Sequence, residues 1–119
     1  MKAVESRQKK YLPSTYEAVA GVLREGKAEA ITSTDIVMLT SAGSKRDVHE
    51  IIEQLIVQYG FVIGSSRSGK HRGYYLISNA SELQESLHTY NNQIQSMMKR
   101  HKKLRENFLA SKNISEMEK

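Results

Sequence analysis

The 119-residue chain contains no cysteine. Disulfide staples and thiolate metal sites are therefore both excluded, and a reducing compartment fits. Long hydrophobic runs are missing too. No stretch approaches the ~20 apolar residues a membrane-spanning helix needs, and the opening MKAVESRQKK lacks the apolar centre of a secretory signal. The expectation is a cytoplasmic protein without a membrane role. Catalytic constellations are absent as well. Ser, His and Asp all occur, but no nucleophile-turn motif accompanies them, and His49 and His71 stand without a second His or a Cys at chelating spacing. Neither an enzyme, nor a metal site, nor a cofactor is expected. Proline occurs once, at Pro13, and no glycine or proline follows Gly73, so nothing interrupts a helix in the last third of the chain.

What is present is positive charge. Lys and Arg number 18 against 13 Asp and Glu, a net charge of +5 and a pI near 9.5. That balance points to an acidic partner such as nucleic acid or an anionic membrane surface. Its distribution says more than its size. Positive residues collect in an N-terminal arm (Lys2, Arg7, Lys9, Lys10), at Lys45-Arg46, around Arg67, Lys70, His71 and Arg72, and in the block from Lys99 to Arg105.

The third of these groups lies in GSSRSGKHRG, residues 64 to 73, where Gly64, Gly69 and Lys70 match the spacing of a phosphate-binding loop, G-x-x-x-x-G-K. That loop requires Ser or Thr after the lysine, to hold magnesium, and then a helix whose amides face the phosphates. Here His71 follows, and Tyr74-Tyr75-Leu76-Ile77 is a β-branched and aromatic run that favours a strand. Phe61-Val62-Ile63 upstream is strand-like too. Two short strands around a polar Gly/Ser loop predict a β-hairpin with a basic tip.

Before the hairpin the patterns are helical. Pro13 suits a first helical turn, and Tyr16, Val19, Ala20 and Leu23 then recur on one face, with Gly26 as the stop. Ala30-Ile31 can form a brief strand. Thr32 and Asp35 carry a capping-box spacing and open a short helix whose inward residues are Ile36 and Leu39. Ser44 and Asp47 repeat that signature and open a longer helix with Val48, Ile51, Ile52, Leu55 and Ile56 as its buried stripe. After Ser81, residues Leu83, Leu87, Tyr90, Ile94, Met97, His101, Leu104 and Phe108 alternate steps of four and three, a heptad seam over more than three repeats. A seam of that length leaves more apolar surface than a small domain covers, so a homodimer is the expected partner, with a fold-back onto its own domain as the rival. His101 either fixes the register of such a pairing or lies at a splayed end. The basic block on the same helix is open to three readings: a solvated flank, a second phosphate-binding surface or a strip that docks a protein partner.

Two capped helices joined by a short Gly-containing turn form a helix-turn-helix, and a basic hairpin directly after the second makes the unit winged. Residues 31 to 79 resemble the winged helix-turn-helix of biotin-repressor-type regulators and of many small phage-encoded DNA-binding proteins. The resemblance is carried by ITSTDI (31–36), SKRDVHEIIEQL (44–55) and GFVIGSSRSGKHRGYYL (60–76). In one respect the chain departs from the family pattern: the turn Ser41-Ala42-Gly43 is one residue longer. The resemblance implies double-stranded DNA as partner. It places Ser44, Lys45, Arg46 and His49 at the groove-facing end of the recognition helix, while Arg67, Lys70, His71 and Arg72 in the wing suit phosphates or the minor groove.

The expected architecture is mainly α with a small β-hairpin. A basic arm (1–12) precedes a winged helix-turn-helix (13–79), followed by a C-terminal dimerisation helix (80–110) and a polar tail (111–119). The expected role is sequence-specific DNA binding by a dimeric transcriptional regulator of bacterial or phage type. Its rivals are a replication-initiation or DNA-packaging factor and an interaction adaptor built on a winged helix.

Overall fold

Capping and hydrophobic spacing set the order of elements in this computed structural model, which describes residues 12–67 and 69–118, with the side chains of the last helix described through Lys112. The basic arm lies outside the described residues, apart from Leu12, which packs against the core. Helix α1 spans Ser14–Val22 after Pro13, whose carbonyl accepts from the Glu17 amide at 2.9 Å. It buries Val19, and Leu23 just beyond its end is buried as well. A 3₁₀ turn at Lys27–Glu29 follows. Ile31 then exchanges both backbone hydrogen bonds with Tyr74, at 2.9 and 2.8 Å, so the brief strand expected at Ala30-Ile31 is a one-residue bridge.

Helix α2, Ser33–Leu39, is capped by Thr32, whose side chain accepts from the Asp35 amide at 3.1 Å. Ile36 is buried, but Leu39, expected beside it, is 65% exposed. The reason is angular. At ~100° per residue the arc shared by Ile36, Val37 and Thr40 faces the core, and Leu39 falls outside it. The lengthened turn is tied down from within: Thr40 Oγ1 donates to the Ile36 carbonyl at 2.7 Å and accepts from the Ala42 amide at 3.2 Å. Ala42 is buried in the core. Helix α3, Lys45–Val57, is capped by Ser44, which accepts from the Asp47 amide at 3.1 Å, and it buries Val48, Ile51, Ile52 and Leu55.

The hairpin pairs β1 (Ile63–Ser66) with β2 (Gly73–Leu76) antiparallel, Ile63 opposite Leu76 and Ser66 opposite Gly73. Strand β1 therefore runs through Gly64-Ser65-Ser66, residues expected in the loop, while Phe61 and Val62 precede it. Two close approaches account for this. A Cβ on Gly64 would lie 2.8 Å from both the Ser86 hydroxyl and the Tyr75 ring, and one on Gly73 would lie 2.1 Å from the Ile31 carbonyl oxygen, at a φ of +122° that disfavours any side chain. Of the two adjacent tyrosines, Tyr75 is fully buried and Tyr74 faces the other side of the pleat.

Helix α4 spans Ala80–Glu118. Residues 111–118, expected as a polar tail, continue it, because that segment contains Glu, Lys and Met and neither glycine nor proline to break the helix. Asn79 caps its start, accepting from the Glu82 amide at 2.9 Å. Glu82 in turn accepts from the Ser78 amide (2.8 Å), the Ser78 hydroxyl (2.9 Å) and the Lys27 amide (2.9 Å). The chain divides into two compact units, one reaching through Ser86 and one starting at Leu87. The architecture is mainly α with a small β-hairpin and a long C-terminal helix. Among the described residues no helix is long and apolar enough to cross a membrane.

Candidate nucleic-acid interface

Each candidate residue takes its place from a local feature of the fold. Ser44 ends the turn as the N-cap of α3; its oxygen is occupied by the Asp47 amide, which leaves its O–H free to donate outward. With one face of α3 committed to the core, the first two turns turn Lys45, Arg46, His49 and Glu50 to solvent. Arg46 Nε lies 3.7 Å from Glu50 Oε1, one helical turn away, and both side chains are largely exposed. Such a pair is held weakly and gives way readily to a stronger acceptor. Glu50 and Glu53 carry negative charge on the outer face of the later turns.

A cleft of about 500 Å³ joins this helix to the hairpin. His49 from α3, Thr32 and Ser33 at the start of α2, Ser65, Ser66 and Arg67 on the β1 side, and Arg72, Gly73 and Tyr74 on the β2 side line it. The His49 and Tyr74 rings meet edge to face, with centroids 6.0 Å apart at 67°. That contact positions the imidazole at the junction of helix and hairpin. Of the eight candidate residues, His49, Arg67 and Arg72 come together in this cleft. Lys45, Arg46 and Ser44 lie along the exposed start of α3, and Lys70 and His71 are exposed at the hairpin tip outside the cleft lining. Thr32, Ser33, Ser65, Ser66, Gly73 and Tyr74 complete the lining and were not foreseen as site residues. For Tyr74, its alternation with Tyr75 along one strand was the signal available.

The cleft is furnished with hydrogen-bond donors: two guanidinium groups, an imidazole and several hydroxyls. Such a donor set suits an anionic ligand. Among the described residues no three His, Asp or Glu side chains converge as a metal site would require. The segment that matched G-x-x-x-x-G-K leads from Lys70 into β2, so the helix that a phosphate-binding loop must meet is replaced by a strand.

The seam residues lie on α4. From Leu87 to Phe108 the apolar members are exposed, from 43% at Leu87 to 72% at Leu104, and His101 is exposed as well. Leu83 belongs to the first unit and is at the edge of exposure.

Comparison with known proteins finds no matching family model, no matching curated protein and no matching solved structure. The helices and two-stranded hairpin are compatible with a winged-helix layout.

Proposed function

We propose that the chain is a sequence-specific double-stranded DNA-binding protein that works as a dimer, most simply a small transcriptional regulator acting by occupancy of its site. The observation that carries this reading is the shared cleft: His49 of α3 and Arg67 and Arg72 of the hairpin line one concavity. A helix presenting Lys45 and Arg46 beside a cationic β-ribbon suits a duplex, with the helix in the major groove and the ribbon on the phosphates beside it. Glu50 and Glu53 would be repelled by phosphates, so α3 enters by its N-terminal end. Arg46 and Lys45 are the candidates for guanine O6 and N7, and Ser44 for a phosphate oxygen.

Selection of bound duplexes from a random library at two salt concentrations tests the reading. A recovered consensus that persists at the higher salt is the expected result. Binding that falls equally for all duplexes as salt rises would leave only nonspecific phosphate attraction. No binding to any duplex, together with salt-sensitive capture of an acidic protein, would replace it with the adaptor reading.

A further inference from the structure

In the second unit, Leu87, Tyr90, Ile94, Met97 and Leu104 form an exposed apolar seam interrupted by His101, on a helix that carries five Lys and Arg between residues 99 and 105. A stripe so exposed needs a partner. We infer that the occupant is a second copy of the chain, laid antiparallel about a two-fold axis between Ile94 and Met97. The inference deepens the dimeric reading above and rests on it.

Two observations select the direction. The first is charge. In heptad terms Leu87, Ile94 and His101 take position a, Tyr90, Met97 and Leu104 take d, and Arg100 and Arg105 flank the seam at g and e. A parallel, in-register pair sets Arg100 against Arg105 of the partner subunit, twice by symmetry, and lays each basic block along its copy. The antiparallel pair instead lays residues 99–105 along residues 86–92, a stretch with no Lys, Arg, Asp or Glu. The spacing permits either direction: steps of three and four between Leu87 and Leu104 read the same from either end, so an antiparallel pair sets Ile94 against Met97 and Leu87 against Leu104. The second observation is the polar member. A parallel pair packs His101 on its own counterpart, whereas the antiparallel pair places it against Tyr90, a ring with a hydroxyl that can bond it.

The native absence of cysteine makes the test direct. Full-length Leu87→Cys and Leu104→Cys chains are oxidised separately and as a mixture. In the antiparallel pair the two copies of position 87 are about 25 Å apart, far beyond disulfide reach, while positions 87 and 104 face each other. The expected result is a covalent dimer in the mixture, at least about tenfold above either chain alone. Crosslinking of either chain with itself and not with the other would overturn the inference in favour of a parallel pair. Spin labels on Lys112→Cys, outside the six paired layers, read the same geometry without touching the packing: about 50 Å between labels if antiparallel, under about 20 Å if parallel. A chain that sediments as a monomer at about 50 µM also overturns the inference, because an affinity weaker than that is below what a filled seam delivers. The two readings fail separately. A monomer that still selects a duplex leaves the DNA site standing, and an antiparallel dimer that binds no duplex leaves the pairing standing.

Discussion

In the proposed reading of a duplex, Arg46 is the side chain on which base recognition turns. The ion pair it makes with Glu50 is exposed, so it reaches a base edge at little cost. Arg46→Ala is expected to cost about 1 to 3 kcal/mol on the preferred duplex and much less on random DNA, measured by competition binding; equal losses on both would assign it to phosphates. Lys70 and Arg72 belong to the other class. Replacing each by Ala should weaken binding on every sequence alike and reduce the slope of log affinity against log salt by ~0.9 per contact. A stability prediction sits at Gly73. Alanine there would combine a positive φ with a methyl group pressed into the Ile31 carbonyl, so Gly73→Ala should lower stability by more than about 2 kcal/mol in urea unfolding. An unchanged midpoint would mean that the Ile31 bridge is dispensable.

Among the elements, the first turn of α4 is held by Glu82, which accepts three hydrogen bonds. The Glu82 carboxyl is held below the usual carboxylate range, first by the Lys27 amide and then by the Ser78 amide and hydroxyl. A lowered value means that the charged form is favoured by folding. Its contribution is therefore present above the ordinary glutamate value of ~4.3 and is lost as pH falls through the lower folded value. Lys27 has the opposite sense. Its hydrogen bond from Nζ to Glu85 Oε1 (2.6 Å) raises it, so that contribution persists below the ordinary lysine value and disappears only in strong alkali. Glu82→Gln should lower the Tm at neutral pH and flatten its fall between about pH 5 and pH 3. Parallel Tm-against-pH curves for the two proteins would remove Glu82 from the account of acid sensitivity.

The same element shows where the sequence was legible and where it stopped. Thr32, Ser44 and the stripe of α3 could be read directly, because cap chemistry and helical spacing are local. The Asn79–Glu82 cap had the same spacing and was equally readable. Its long-range half was not: nothing local links Lys27 to residues 55 and 58 positions later. Leu39 was misplaced because a seven-residue helix has too few turns for period alone to fix its inward arc. Strand β1 was misplaced because Gly64-Ser65-Ser66 carries turn chemistry, and only the approach of Ser86 and Tyr75 makes an extended glycine necessary there. The charge of Lys45-Arg46 and of the hairpin was legible, whereas the place of Ser65, Ser66 and Tyr74 in the cleft depended on strand register.

At the scale of the whole molecule, the proposed DNA site in the first unit and the proposed self-pairing seam in the second can be tested apart. Replacing Ile94 and Met97 together by Lys should abolish self-association while leaving the Tm of the first unit unchanged, and should weaken binding to a two-site duplex by about 100-fold or more through lost avidity. Unchanged affinity would show that one copy suffices. The position of Ser86 adds a practical consequence for anyone dissecting the chain. A fragment stopped at Asn79, where the hairpin pattern runs out, would strip the Lys27 and Ser78 amides of their acceptor and uncover the floor beneath Gly64. One carried through Ser86 keeps all of these partners. The first compact unit thus takes in the first two turns of a helix whose remainder belongs to the second.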